Sequence, residues 1–370
     1  MWRREFMAGL GGAVAWPLAT KAGRRAVASI ARWFLCTSAA GALAMMSVQV
    51  AGAQGAEQIF YRGKTVRMLV GAGVGGGYDG YARMIAPVLS QALGATVIVE
   101  NQPAAGGIAA LNRMATNQPD DPSIMLVHGT RAVLAQLGEL PGVRYDLSRL
   151  GILATVTISP DIWLVGPKST WATLDDVLRS AKRITWGGRG PAEGLTDGAG
   201  FTCAALKLDC HIVSGYSGSN EAALAVTRGE VDAVYVADSS ANNYVNSGQN
   251  RALVVMGRER SRFFPNVPTI FEAVKLTPEQ ESLFRLRTTI DSLGRILVAG
   301  PNMLPARLAF LQAAVKAALT DPALIAAGER TQRYIDYVDG EITRTRVLEV
   351  VTAITPEQRA LVKAILTRAN

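Results

Sequence analysis

Apolar side chains come in short runs along this chain, and most runs are followed by a stretch of helical periodicity. TVRMLV (65–70) leads through a glycine-rich loop into residues 78–93, where Tyr81, Ile85, Val88 and Leu89 fall on one helical face. A strand followed by a helix is the reading of that pattern. TVIVEN (96–101) predicts a second strand, QPAAGG (102–107) a loop, residues 108–116 a helix and SIMLVHG (123–129) a third strand. The alternation restarts with IWLVGP (162–167), a helix over TLDDVLRSAK (173–182) capped by Thr173, and the strand RITWGG (183–188). There follow a loop RGPAEGLTDGAG (189–200), a helix carrying Cys203, the strand HIVSGY (211–216), a helix at 220–227 and the strand DAVYVA (232–237). After RALVVMGRER (251–260) and a proline-pinned loop, FFPNVPTIFEA (263–273), GRILVAGP (294–301) reads as one more strand and the remainder as helices.

Strand, crossover and strand repeated in this way predict an α/β fold, each unit a mostly parallel sheet with helices on both faces. Connections should be short and right-handed. The organisation expected is a leader at 1–53, a first lobe at 54–160, a second at 161–260, and a return to the first at 261–370. In open sheets ligands lie beyond the carboxyl ends of the strands. Two lobes bring two such ends face to face across a cleft.

Residues 33–53, WFLCTSAAGALAMMSVQVAGA, carry no charge, follow KAGRR and Arg32, and end in Ala51-Gly52-Ala53. That is the build of an export signal with small residues at the cut. Its 21 residues also suffice to span a bilayer, so signal and anchor both stand. Arg3-Arg4 and Phe6 in RREFM add twin-arginine spacing. Either route sends the protein out of the cytoplasm, to the periplasm.

Composition is otherwise that of a globular chain, 49% hydrophobic, 18% charged and 6% aromatic. The net charge of +8 owes much to the leader. Removing its six basic residues and Glu5 from the 38 and 30 leaves 32 basic and 29 acidic side chains, +3. Without basic clusters interleaved with aromatics, nucleic acid is not an expected partner. Cys203 and Cys210, seven apart, would persist as a disulfide in an oxidising compartment; a bridge is feasible and not forced. Two histidines and no Cys-x-x-Cys argue against a zinc site, and no cofactor is expected.

The candidate chemistry lies in the loops. Gly71, Gly73 and Gly76 satisfy G-x-G-x-x-G, with Glu100 24 residues beyond Gly76, near where a ribose-binding acid belongs. A dinucleotide pyrophosphate is therefore one guest, and an exported NAD(P)-dependent oxidoreductase the corresponding function. The other guest is a small carboxylate, gripped by backbone N–H groups that glycine leaves accessible. Asp79 beside the helix start opposes a pyrophosphate, and the second small-residue loop directly after Glu100 suits a small ligand held from several directions. GYSGS (215–219) approaches a nucleophile elbow, but Ser219 stands where the last glycine belongs; no enzymatic activity is expected. His128 and Thr130 close a strand at the cleft, His211 and Trp163 belong to core positions, Trp186 walls the cleft, and Asp232 braces a turn.

GKTVRMLVGAGVGGGYDGYARMIA and VIVENQPAAGG resemble the opening of the periplasmic solute receptors of tripartite tricarboxylate transporters, the Bug family. SGYSGSNEAALAVTRGEVDAVYV and RALVVMGRERSRFFPNVPT continue the likeness in family order over roughly 58–275. The resemblance implies a two-lobe periplasmic binding protein, type II-like. It would act as a monomeric receptor that captures a small organic carboxylate and delivers it to the permease subunits of a membrane transporter. Carried over, the first-lobe clamp is Gly75, Gly76, Gly77 and Asp79 with Ala105, Gly106 and Gly107; the second-lobe clamp is Gly187, Gly188 and Gly190 with Tyr216, Ser217 and Gly218. The chain departs from the family at GAGV, where prolines are usual, and at Ser217, where a lysine is usual. PDDPS replaces the family's PDG-Tyr, and the 189–200 loop lacks its histidine.

Overall fold

The computed structural model describes residues 57–75, 77–188, 194–352 and 354–368. The leader expected at 1–53, Gly76 and Gly190 lie outside them. The strands are β1 (Thr65–Val70), β2 (Thr96–Asn101), β3 (Ile124–His128), β4 (Leu150–Thr157), β5 (Asp161–Val165), β6 (Ile184–Gly187), β7 (Cys210–Val213), β8 (Ala233–Ala237), β9 (Arg251–Met256), β10 (Arg295–Pro301) and β11 (Val338–Asp339). They form two sheets, ordered β11-β4-β10-β3-β1-β2 and β7-β6-β8-β5-β9. Around them pack α1 (Gly77–Leu93), α2 (Ile108–Met114), α3 (Gly129–Leu137), α4 (Leu174–Arg179), α5 (Gly194–Leu206), α6 (Ser219–Arg228) and α7 (Asp238–Asn246). Then come α8 (Ile270–Ala273), α9 (Pro278–Asp291), α10 (Pro305–Leu319), α11 (Pro322–Arg330), α12 (Gly340–Thr352) and α13 (Pro356–Arg368).

Both sheets are mixed, with most strands in each sharing one direction. β1 runs parallel to β2 and β3, but β10 lies antiparallel between β3 and β4, and β11 antiparallel to β4. In the second sheet β6 is parallel to β7 and β8, whereas β5 is antiparallel to β8 and β9. The reason is where the chain changes sheets. β4 ends at Thr157 and β5 begins at Asp161, so β5 starts at the crossing while β8 and β9 run toward it. β10 likewise starts at the returning end and runs away from it.

The register places the crossing in line with the strand ends. Arg295, the first residue of β10, pairs with His128 and Thr157, the last of β3 and β4. Asp161, the first residue of β5, pairs with Ala237 and Met256, the last of β8 and β9. The four residue steps from Thr157 to Asp161 reach at most about 14 Å, so the carboxyl ends of β3 and β8 face one another across it.

Each sheet is covered on both faces. One face of the first sheet packs Met68, Val70, Leu126 and Leu297 against Ile85 and Leu89 of α1 and Leu311 of α10; the other packs Met125, Val127 and Ile296 against Leu111, Val133 and Val347. Removing each such side chain from water contributes roughly 1.5–3 kcal/mol. In the second lobe Trp163, Trp186 and Tyr235 stack in one core cluster, and Trp186 is fully buried. It is core and not a wall of the cleft. His211 is exposed instead of buried because β7 is an edge strand. Asp232 accepts from the Thr185 amide at 2.9 Å and hydroxyl at 2.8 Å, bracing its turn. Cys203 in α5 and Cys210 in β7 are disulfide-bonded, Cα–Cα 6.2 Å. The segment 189–200, expected as loop throughout, is helical from Gly194.

Candidate functional site

Two small-residue loops meet at the carboxyl end of the first sheet. A β-carbon on Gly71 would lie 2.7 Å from the Gly107 Cα, and Gly107 holds φ +91°. Only glycine meets both demands. Ala105 and Gly106 lie in the short turn Ala104–Gly107 before α2. Gly75, at φ +82°, donates its N–H to Asp79 Oδ2 at 2.8 Å, and Arg83 Nε donates to the same oxygen at 2.9 Å. The Arg83 hydrogen bond and then the Gly75 amide hold the Asp79 carboxyl down at about 2, although the residue is buried. Asp79 thus braces its own loop, and the Gly75 donor is engaged.

Beneath the loop lies an arginine that sequence reasoning passed over. The Arg295 guanidinium is sandwiched between Tyr78 and Tyr81, 4.8 and 4.7 Å from the ring centres. Its Nη2 lies 3.8 Å from where a Gly77 β-carbon would be. Its Nε is buried and has no hydrogen-bond partner among the described residues. His128 stacks on Tyr78 at 5.2 Å. Its imidazole is exposed at the strand end yet ringed by protein; that crowding and then Arg295, Arg131 and Arg287 depress its pKa. The neutral form of the imidazole therefore prevails. Thr130 turns elsewhere: it is buried and its hydroxyl donates to the Ile290 carbonyl of α9 at 3.4 Å.

In the second lobe the candidate donors are engaged internally. Gly188 N–H donates to the Val213 carbonyl at 2.8 Å, and Tyr216 N–H to the Gly188 carbonyl at 3.2 Å. The Ser217 amide and hydroxyl both reach Glu221 Oε2, at 2.7 and 2.6 Å. Gly218 leaves open space where a side chain would be. At the crossing, Arg287 donates to Asp291 at 2.8 Å and lies 3.7 Å from Asp161. Glu100 is taken up by Gln102 at 2.6 Å and Arg113 at 3.5 Å, which does not suit a ribose.

The sequence model of the tripartite tricarboxylate transporter family receptor matches residues 81–332. The chain belongs to that receptor family. A relative, a UPF0065 protein of Bordetella pertussis, is 28% identical over 215 residues, covering 56% of this chain and 65% of the relative; the chain thus matches under two thirds of that protein's length. Among solved structures, the periplasmic binding protein BugD superposes with TM-score 0.62 at 22% identity, covering 82% of this chain and 98% of its own. MatC from Rhodopseudomonas palustris, with bound malate, gives 0.63 at 21%, covering 82% and 99%. The fold is that of a two-lobe periplasmic binding protein. Against the receptor family, the motif-carried residues of the first lobe cluster at one strand end, while Arg295 enters from β10, far along the chain. A basic residue opening an apolar run directly after Gly294 was its sequence signal.

Proposed function

We propose that this chain is an extracytoplasmic, non-enzymatic receptor that closes on a small organic carboxylate and presents it to the permease subunits of a tripartite transporter. Lobe one comprises 54–160 and 261–370, lobe two 161–260. The observation that carries the reading is Arg295: a cation without a carboxylate partner among the described residues, set below a glycine loop at the cleft. An anion completes its hydrogen bonds. Gly77, Ala105, Gly106, Gly107 and His128 form the first-lobe side of the proposed site, and Tyr216 and Gly218 its second-lobe side. Gly75, Asp79, Gly188 and Ser217 shape the walls through their internal bonds. The family membership supports the receptor role, and the malate of MatC supports the ligand class. The disulfide supports an oxidising compartment.

A thermal-shift panel of carboxylates, NAD and NADP on the purified chain tests this. A ligand at a hundredfold excess over its Kd adds about 2.7 kcal/mol to stability, so a carboxylate raises the melting temperature and the nucleotides leave it unmoved. A shift with NAD or NADP alone would put a pyrophosphate in the loop and overturn the proposal.

A further inference from the structure

Behind Tyr78 the first lobe contains a cavity of about 150 Å³ that opens between the glycine walls Gly71 and Gly107. Its walls include Ile108, Leu111, Met125, Val127, Ala132 and Tyr145, with Tyr78, His128 and Arg131 at its polar end. It runs between the first sheet and helices α2 and α3, and it meets the cleft where His128 is exposed. The Tyr145 hydroxyl, which would make this interior polar, is turned away and donates to the Ala132 carbonyl at 2.8 Å. Burial pushes the Tyr78 phenol up, so it stays neutral. An apolar cavity of roughly this size holds benzene in preference to water. Tyr78 joins the two features: the ring that lines the cavity also stacks on His128 and on Arg295.

Resting on the receptor reading, we infer that the ligand is an organic carboxylate with one compact apolar group, aryl or branched alkyl, of about the bulk of a benzene ring. The carboxylate lies at Arg295 and the glycine loop, and the apolar group fills the cavity past His128. A di- or tricarboxylate would bring a second charge against Ile108, Leu111 and Met125, at the cost of its desolvation.

Calorimetric titration of the full chain with acetate, butyrate, 4-methylpentanoate, benzoate and 2-naphthoate, alongside malate and citrate, tests the assignment. Affinity should climb about fourfold per buried methylene, peak near benzoate and fall for 2-naphthoate. Ile108→Phe, which fills the cavity, should flatten that series. Arg295→Gln should weaken every acid at least tenfold while preserving the order of the series, with Arg295→Lys restoring part of the loss. Circular dichroism and melting temperatures establish that each variant is folded. Malate or citrate binding more tightly than any member of the series would overturn this inference and leave the receptor reading intact. A size series unaltered by Ile108→Phe would likewise overturn it. No binding by any carboxylate would remove both.

Discussion

Gly71 and Gly107 show how a single hydrogen in place of a methyl group sets the geometry of the first-lobe wall. A β-carbon on either would fall within 3 Å of the other residue's backbone, 2.7 Å for Gly71 and 2.9 Å for Gly107, and Gly107 adds a left-handed φ. Gly107→Ala should therefore cost about 1–3 kcal/mol of stability in urea unfolding. Gly73→Ala, where nothing lies within 4 Å, should cost little. Equal losses at the two positions would show that the loop-to-loop contact is not what Gly107 serves. These glycines were legible in the sequence because their requirement is local or nearly so. Asp79 was legible as a conspicuous acid, but its engagement with Gly75 and Arg83 came from the loop's folded path. Arg295 was not singled out, because what marks it is its long-range neighbours: Tyr78 and Tyr81 lie more than 200 positions away in the sequence.

Elements whose two faces differ, such as α1 and α6, were legible from the helical spacing of their apolar positions. Thr173 caps α4 through a reciprocal pair with Asp176, as its sequence suggested. β4 escaped notice because all eight of its residues are buried, leaving no alternation to read. The polar α9 was also missed; its capping box, Thr277 with Gln280, and its Pro278 start it. It is stabilised by placing Phe284 in the second lobe's core and Ile290 in the first's. The Cys203–Cys210 bridge ties α5 to the edge strand β7. Closing so short a loop should contribute about 2 kcal/mol, so the Cys203→Ser/Cys210→Ser double variant should unfold at lower urea, and dithiothreitol should bring the parent chain to the same midpoint. Reduction without a change in midpoint would make the bridge neutral to stability.

At the scale of the molecule, the crossing between lobes concentrates charge. Asp161 opens β5 at the crossing and shares Arg287 with Asp291. Burial and then Asp291 push the Asp161 carboxyl up to about 7 from its ordinary 3.8. Between about pH 4 and 7 the folded chain holds a proton that the unfolded chain has released, so stability falls as pH rises through that window. Asp161→Asn should flatten this decline and be relatively more stable at pH 8 than at pH 5 when urea midpoints are compared; parallel profiles would exclude Asp161 as its source. Across the same divide α13 sets Ile365 against Gly200 of the second lobe and Leu366 against Gly138 of the first. By itself the sequence determined the α/β class, the glycine loops, the family likeness and the candidate disulfide pair, because periodicity, glycine and cysteine spacing are written over a few neighbouring positions. Strand direction at the crossing, the internal engagement of the second-lobe donors, the Arg295 sandwich and the apolar cavity were decided only by tertiary structure. Each depends on segments that hydrophobic burial packs together from distant parts of the chain, and no local pattern encodes which of them meet.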